Sequence, residues 1–277
     1  MKRAKIAFVS QLDSTNDWLK SCLEKNDDCV PFQGVMAGYQ LAGRGRAGRV
    51  WHGNKPDDHT KENHGDYDGN LYLSLALLPP KDKQKDIAQI TMLASIALHD
   101  CLCQFINQDG FVEDLRLKWP NDCMLKGRKI AGILAETCQD KHQKLWVVLG
   151  TGVNITHSPT LSHNRYHSTS LTQMGLLPEI NKKGLKKIAV HYQQRLHQLW
   201  QIWCDEGFVS IKPLWLEKAQ TIGSKASLNF HNGEASGFFM GIGDDGALLF
   251  CPNEDDEAQP NLDPSSWMRL YSADLEI

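Results

Sequence analysis

Short apolar runs bounded by turn residues constrain the fold of this chain most strongly. Runs of this kind, set between polar or glycine-containing turns, are typical of β-strands. The clearest of them predict short strands joined by tight turns at residues 115–119, 130–136 and 145–149. Similar runs predict further strands at residues 6–12, 34–39 and 71–78.

Two longer stretches instead carry apolar side chains at steps of three and four, which is the spacing of one helix face. They predict helices over residues 84–107 and 183–204, and Gly207 suits the end of the second helix. A shorter helix is predicted over residues 17–24, because the small polar residues 13–16 before it can cap its first turn.

The sequence changes character near residue 218. Residues 221–250 alternate and are punctuated by glycine, and Asp244-Asp245-Gly246 between two apolar runs is a hairpin signal. This pattern predicts a small β-barrel-like domain after a larger one. We therefore divide the chain of 277 residues into domains at 1–217 and 218–277.

Bulk composition restricts the class of protein. The net charge of −3 disfavours nucleic-acid binding, which normally needs a basic face. No apolar run approaches the roughly 20 residues that span a bilayer, and the apolar stretch after the basic start is too short for a secretory signal. We expect a cytoplasmic protein whose eight cysteines stay reduced.

The segment GRGRAGRVW at residues 43–51 is the most informative for function. Its glycines let the backbone approach a ligand, and its three arginines are suited to carboxylate or phosphate oxygens. No Gly-Lys-Ser/Thr follows, so the segment is not a Walker A loop. The arginines predict an anion site, and the alternative is a solvated basic loop.

A second polar segment, KWPND at residues 118–122, follows a predicted strand. Pro120 interrupts regular pairing there, so the turn can present Asn121 and Asp122 with a fixed geometry. Asp122 is a candidate Mg²⁺ ligand, because hard cations prefer oxygen ligands.

Two further segments complete the candidate site. Lys129 stands at the start of an apolar strand, where it could stabilise negative charge on a reacting group, and Gly132 leaves room for a ligand ring. The alternative is a hairpin with a basic turn. In GTGVN, residues 150–154, Asn154 offers a donor and an acceptor suited to a base edge such as adenine, although an ordinary tight turn would look the same.

Polar segments outside these motifs carry less information. Residues 54–69 have no periodicity, which predicts a mobile surface loop. The histidines at positions 52, 59, 64, 157, 163 and 167 raise a metal site as an alternative. Their spacing lacks cysteine or acidic support, so exposed or hydrogen-bonded histidines are the favoured interpretation.

Taken together and in this order, the segments resemble the catalytic domain of biotin protein ligases. The resemblance is carried by Ser14-Thr15-Asn16, Gln40, GRGRAGRVW (43–51), KWPND (118–122), KGRKIAGILAE (126–136) and GTGVN (150–154), with NLYLS (70–74) and TSL (169–171) in support. It is strong over residues 5–175 and looser towards the C-terminus. At position 38, where many relatives have an acidic residue, this chain has Gly38.

The resemblance implies an α+β fold. The catalytic domain would resemble that of class II aminoacyl-tRNA synthetases and contain a mixed sheet. The C-terminal domain would be a small SH3-like β-barrel. It implies a ligase that uses ATP and Mg²⁺ to activate biotin as biotinyl-5′-adenylate, then transfers it to a lysine of a biotin carboxyl carrier protein. The start of the chain leaves no room for the winged helix-turn-helix of bifunctional relatives, so direct DNA binding is not expected. A monomer and a homodimer both remain open.

The resemblance also implies residue roles. Lys129 and Arg46 are implied as catalytic. The implied biotin-binding residues are Ser14, Thr15, Asn16, Gln40, Arg44, Gly45, Arg46, Lys129 and Gly132. The implied ATP and adenylate contacts are Arg44, Arg46, Arg49, Trp51, Lys118, Asn121, Asp122, Lys129 and Asn154. The arginine loop, residues 43–51, is expected to be mobile without ligand and to close over the adenylate.

Two other functions remain open from the sequence. A lipoate–protein ligase would share the fold and the adenylate chemistry, but GRGRAGRVW followed by KWPND favours biotin. A non-catalytic biotin or nucleotide sensor would keep the pocket, and the presence of Lys129 with all three arginines argues against it.

Overall fold

A computed structural model of the chain describes residues 4–25, 28–53, 66–106, 111–159, 167–178, 180–230, 233–253 and 259–276. Most of the polar loop predicted at 54–69 lies outside these residues. The described part contains a seven-stranded sheet, formed before residue 154, and a five-stranded sheet, formed after residue 224.

The larger sheet is mixed, in agreement with the predicted α+β class. Its strands are β1 (Ile6–Leu12), β2 (Gly34–Gln40), β3 (Leu71–Leu77), β4 (Leu115–Lys118), β5 (Asp122–Leu125), β6 (Arg128–Gln139) and β7 (Leu145–Val153). Their order across the sheet is β1-β2-β3-β7-β6-β5-β4. β1 pairs with β2 in parallel, and the other pairs are antiparallel.

Several predicted strand limits were wrong. The strand predicted at 115–119 ends at Lys118, because the chain reverses at Trp119 to Asn121 and Lys118 pairs with Asp122. The following strand β5 was missed, since four residues are too few to show a pattern. β6 and β7 also run further than predicted, because each pairs with the other along nearly its full length.

The helices are α1 (Thr15–Lys25), α2 (Ile90–Phe105), α3 (Phe111–Asp114), α4 (Lys182–Glu206) and α5 (Lys212–Lys218). The predicted cap of α1 is confirmed, because the Asp17 amide donates to Ser14 Oγ at 3.3 Å. α4 ends at Gly207 as predicted, with φ of +82° there. The predicted helix at 84–107 is only partly α-helical: residues Lys81–Gln89 are 3₁₀, and Asp86 has non-helical angles.

Helices cover both faces of the larger sheet. Alternate residues of β3 and β7 point in opposite directions: Leu75 and Leu149 pack with α2 and α4, whereas Ala76 and Val148 pack with α1. The stretch Lys81–Phe105 is long and apolar enough to cross a membrane, but 67% of its apolar 18-residue segment is buried inside the fold. It therefore behaves as a core helix, and its indole neighbours Trp203 and Trp215 are also fully buried.

The smaller sheet is antiparallel, with strands β8 (Lys225–Phe230), β9 (Gly233–Ile242), β10 (Leu248–Pro252), β11 (Met268–Leu270) and β12 (Asp274–Glu276) in the order β11-β10-β9-β8-β12. The predicted hairpin turn is confirmed: the Gly246 amide donates to the Gly243 carbonyl at 3.0 Å, and Gly246 has φ of +85°. The division of the chain at 217 and 218 stays a prediction.

Candidate functional site

Every biotin-binding or nucleotide-binding residue implied by the sequence lines one pocket on the larger sheet. The pocket lies between the N-terminus of α1, the arginine loop, the turn between β4 and β5, and the strands β6 and β7. Its predicted members are Ser14, Thr15, Asn16, Gln40, Arg44, Gly45, Arg46, Arg49, Trp51, Lys118, Asn121, Asp122, Lys129, Gly132 and Asn154. Five segments that are far apart in the sequence therefore form a single site.

One end of the pocket is a buried polar cluster, called here the polar end: Ser14, Thr15, Asn16, Gln40 and Ser74. The Thr15 amide and hydroxyl both lie 3.0 Å from Gln40 Oε1, so this oxygen accepts two hydrogen bonds. The Ser74 hydroxyl lies 2.8 Å from Thr15 Oγ1 and 2.6 Å from Asn16 Oδ1. The side chains are thus held in fixed orientations, as recognition of a polar ring requires.

Charged groups surround the outer side of this cluster. Asn16 Nδ2 donates to Glu136 Oε2 at 2.7 Å, and Lys20 Nζ donates to Glu136 Oε1 at 2.7 Å. Arg44 of the arginine loop lies 2.8 Å from Glu136 Oε2 and 2.5 Å from Asp17 Oδ1. Partial burial raises the pKa of Glu136, but the hydrogen bonds from Lys20 and Asn16 outweigh it, and the net shift is downward. Glu136 is therefore ionised at neutral pH.

The arginine loop is folded over the pocket by its own backbone. The Gly45 amide donates to the Arg49 carbonyl at 2.7 Å, and the Trp51 amide donates to the Gly43 carbonyl at 2.9 Å. A short 3₁₀ turn at Arg46–Gly48 lies between them and includes Ala47 at φ of +52°. The expected movement of this loop on ligand binding stays a prediction.

Trp51 lies flat against glycine backbone at the centre of the pocket. A Cβ atom on Gly152 would lie 2.5 Å from Trp51 Cε2, and one on Gly132 would lie 2.8 Å from Trp51 Cζ3. Gly132 and Gly152 are paired across β6 and β7. Both positions therefore need glycine to admit the indole ring, which explains why this motif pairs small residues with a tryptophan.

The other end of the pocket is cationic. Lys129 Nζ lies 2.7 Å from Asp122 Oδ1 and 5.6 Å from the centre of the Trp51 ring. Arg46 reaches the same region, where its NH1 donates to Asn121 Oδ1 at 3.3 Å. Asn121 is fixed in turn, because its Nδ2 donates to the Ile133 carbonyl at 2.5 Å. Lys118 is buried beside this group.

Asn154 lines the pocket, and its side chain is also held by a hydrogen bond to a neighbouring segment. Its Nδ2 donates to the Thr169 carbonyl at 3.2 Å, and its amide donates to the Ile130 carbonyl at 2.8 Å. The Lys129 backbone is bridged to the same segment, because its amide donates to the His167 carbonyl at 3.0 Å. Residues 167–169 therefore support Lys129 and Asn154, two of the predicted nucleotide contacts.

Some pocket residues were given no role from the sequence, including Tyr72 of the supporting NLYLS segment. Tyr72 lines the pocket, and its hydroxyl donates to the fully buried Asp68 Oδ2 at 2.7 Å. Burial and the neighbouring Asp68 raise the pKa of Tyr72, so its hydroxyl keeps its proton. Gly38 lets the chain that carries Asp68 pack closely against β2. A Cβ atom at position 38 would lie 1.8 Å from the Asp66 carbonyl oxygen, and the Asp68 amide donates to the Gly38 carbonyl at 3.1 Å.

Leu275 was also missed. It lies in β12 of the smaller sheet and lines the pocket. Strand β12 has only three residues, and the weak resemblance of the C-terminal tail gave no signal for this contact. A second link joins the sheets, because Trp119 Nε1 donates to the Gly246 carbonyl at 3.0 Å.

No group of three histidine, cysteine, aspartate or glutamate side chains suited to hold a metal occurs within the described residues. Of the histidines considered above, His157 contacts Asn70 and Asp68, and positions 59, 64 and 163 lie outside the described part. Asp122 is the single carboxylate among the described pocket-lining residues.

Comparison with known proteins identifies related chains. The model of the biotin/lipoate A/B protein ligase family matches residues 62–154. A biotin–[acetyl-CoA-carboxylase] ligase of Paracoccus denitrificans is 32% identical over 222 residues, which cover 78% of this chain and 82% of the relative. The bifunctional ligase/repressor BirA of Bacillus subtilis is 31% identical over 246 residues. That match covers 88% of this chain, which spans 65% of the length of BirA.

Solved structures share the fold. The biotin protein ligase of Aquifex aeolicus, in complex with biotin and ATP, has a TM-score of 0.71 at 21% identity, and the match covers 98% of both chains. The biotin protein ligase of Leishmania major, in complex with biotinyl-5-AMP, has a TM-score of 0.59 at 20% identity, covering 94% of this chain and 99% of that one. These likenesses bear out the expected class II synthetase-like architecture.

Proposed function

The chain belongs to the biotin/lipoate A/B protein ligase family, and from this premise we propose that it activates biotin with ATP and transfers it to a lysine of a biotin carboxyl carrier protein. One observation supports this most directly: the pocket has a buried polar end at one side and a cationic end at the other. Biotin has the matching shape, with a polar ureido ring at one end and a carboxylate at the other.

In the proposed first step, the biotin carboxylate attacks the α-phosphorus of ATP. The new O–P bond forms as the bond to pyrophosphate breaks, which gives biotinyl-5′-adenylate. Lys129 and Arg46 are the proposed catalytic residues, because their fixed positive charges face the region where negative charge accumulates. The pairing of Lys129 with Asp122 holds the ammonium group in place before substrate arrives.

In the proposed second step, a neutral carrier lysine attacks the acyl carbon of the adenylate. The amide bond forms, AMP leaves with the electrons of the acyl–phosphate bond, and the amine loses a proton. The adenylate hydrolyses in water, so the arginine loop would exclude solvent while the carrier protein docks.

The remaining assignments follow the two ends of the pocket. Ser14, Thr15, Asn16 and Gln40 would bind the ureido ring, whose donors and acceptor are costly to bury unpaired. Arg44, Gly45 and Gly132 would cover the body of biotin. The nucleotide would contact Arg49, Trp51, Lys118, Asn121, Asp122 and Asn154.

Magnesium belongs to the proposal as part of the co-substrate MgATP. The pocket offers one carboxylate, Asp122, which agrees with the way Mg²⁺ is usually bound in nucleotide sites, by one or two carboxylates plus substrate phosphates and water. Asp122 would therefore supply a single contact, and the triphosphate would carry most of the coordination.

A lipoate–protein ligase is the second candidate, because the matching family model covers biotin and lipoate ligases. The polar end favours biotin, since its hydroxyl and amide groups can exchange hydrogen bonds with a ureido ring, and lipoate has no ureido group to take part in them. Offering radiolabelled biotin or lipoate with MgATP and the matching carrier domain tests the choice. Label on the biotin carrier supports the proposal, and label on the lipoate carrier alone would reject it.

The same experiment tests the sensor alternative, because a non-catalytic sensor would bind biotin and label neither carrier. A cytoplasmic location and the absence of direct DNA binding remain part of the proposal, and the net charge of −3 supports the second. Whether the protein acts as a monomer or as a homodimer can be measured by sedimentation.

A further inference from the structure

We propose that Glu136 is a positioning residue that couples recognition in the polar end of the pocket to closure of the arginine loop. The inference rests on the proposed function, but the residue itself does not line the pocket. Glu136 lies on β6, outside the polar end, and receives donors from α1 and from the loop.

The first step of the argument concerns the direction of the Asn16 amide. An ionised carboxylate only accepts hydrogen bonds, so the group that faces Glu136 Oε2 at 2.7 Å must be the NH₂ of Asn16. The amide oxygen then faces the Ser74 hydroxyl at 2.6 Å. Glu136 therefore determines which atoms of Asn16 are turned towards the sheet and which pattern of donors and acceptors the polar end presents.

The second step concerns Arg44. It belongs to the loop, and its NH2 atom lies 2.8 Å from the same Oε2 atom that accepts from Asn16. Its other partner, Asp17, is 54% exposed, and exposed ion pairs contribute little. The Glu136 side chain is only 22% exposed. The less exposed pair is therefore the better candidate for holding the loop against the sheet.

The third step concerns the orientation of the carboxylate. Lys20 Nζ lies 2.7 Å from Oε1, so each oxygen has its own cationic partner. This division fixes the rotation of the carboxylate. Because Asn16 and Arg44 share Oε2, a ligand that holds Asn16 in this orientation also keeps the acceptor for Arg44 in place. Binding at the polar end then favours the closed loop.

The test is Glu136→Gln in the full-length protein. A glutamine offers one oxygen and one NH₂, so at least one of the three donors faces another donor. We expect the KM for biotin in biotin-dependent ATP–pyrophosphate exchange to rise about ten-fold, which corresponds to about 1.4 kcal/mol. We expect bound biotinyl-adenylate to escape into solution about ten-fold faster, while kcat at saturating biotin stays close to that of the wild type.

Two further variants separate positioning from general damage. Glu136→Asp keeps the charge and should restore part of the adenylate retention. Glu217→Gln makes the same chemical change on α5, where the side chain is 72% exposed, and should leave KM and retention unchanged. The double variant of Glu136→Gln with Arg44→Met tests the contact between the two residues: if they act through that contact, adenylate escapes no faster than from Arg44→Met alone, and an additive increase overturns the proposal.

Wild-type exchange is measured first. Absence of biotin-dependent exchange in the wild type would reject the proposed function itself. Exchange in the wild type together with an unchanged KM and unchanged adenylate retention in Glu136→Gln would overturn the role of Glu136 and leave the proposed function standing.

Discussion

The hydroxyl of Ser74 lies 2.6 Å from the amide oxygen of Asn16, and Ser74 itself is fully buried. This contact joins the centre of the larger sheet to the first turn of α1, and Thr15 Oγ1 lies 2.8 Å from the same hydroxyl. Ser74 therefore holds two of the proposed ureido-binding residues, although its own side chain is hidden behind them.

Replacing Ser74 by alanine removes this hydrogen-bond partner. A buried polar group left without a partner costs about 1–3 kcal/mol, and 1.4 kcal/mol corresponds to about ten-fold in affinity. We expect the Kd for biotin, measured by calorimetry, to rise about ten-fold or more, with little change in the KM for ATP.

Ser95→Ala is the matched control, because Ser95 is a buried serine of α2 that is hydrogen-bonded to Trp215. It should lower Tm and leave the Kd for biotin unchanged. A wild-type Kd in Ser74→Ala would contradict this account of the polar end.

Gly152→Ala tests the packing of Trp51. A Cβ atom at this position would lie 2.5 Å from Trp51 Cε2, so the indole must move. The strand itself should tolerate alanine, because Gly152 is regularly paired with Tyr72 and Gly132. We expect Tm to stay near the wild-type value while adenylate formation falls about ten-fold or more. Full activity in Gly152→Ala would show that the indole is not required in this position.

Trp119→Phe tests whether the smaller sheet supports the site. It removes the 3.0 Å hydrogen bond to the Gly246 carbonyl, just before Asn121 and Asp122 in the β4–β5 turn. We expect a lower Tm and a KM for ATP raised about three-fold or more, because a net hydrogen bond contributes about 0.5–1.5 kcal/mol. Trp215→Phe is the matched control, since it removes a 3.1 Å bond to Ser95 in the core. It should lower Tm alone, and an equal KM for ATP in both variants would argue against the link.

Much of the site was predictable from the sequence, because its motifs carry the residues that need particular chemistry. The residue types and the resemblance of their motifs to a known family pointed to fifteen site residues, and all of them line the pocket. Ser74 belongs to the supporting NLYLS segment but received no role, and Leu275 belongs to no motif. The first is a serine whose importance depends on the neighbours that the sheet brings to it, and the second reaches the pocket only through the packing of a distant strand.

The predicted fold failed mainly at strand limits. Strand β5 depends on the reversal at the β4–β5 turn, which places Lys118 opposite Asp122, and a four-residue strand has no periodicity of its own. The extra length of β6 and β7 comes from their mutual pairing. Such long-range pairing is a property of the folded sheet, and local patterns do not contain it.

Asp245 should make stability depend on acid pH. Partial burial raises the pKa of Asp245, but hydrogen bonds from Arg269 and Tyr271 outweigh it and lower the pKa to about 2. A carboxylate with a lowered pKa stabilises the fold fully above its ordinary value of 3.8, and this contribution is lost as the pH falls towards about 2. We expect the free energy of unfolding of Asp245→Asn to be lower than that of the wild type at pH 6, and the difference to shrink below pH of about 4. A difference that stays constant over this range would contradict the assignment.

The most direct test of the central claim is biotin-dependent ATP–pyrophosphate exchange by the wild type and by Lys129→Ala. Lys129 Nζ lies 2.7 Å from Asp122 at the cationic end of the pocket, and we propose that it supports charge during adenylation. The account predicts exchange that requires biotin, does not occur with lipoate, and falls about 100-fold or more in Lys129→Ala while Tm is retained. Absence of exchange with biotin in the wild type, or undiminished exchange in Lys129→Ala, would contradict it.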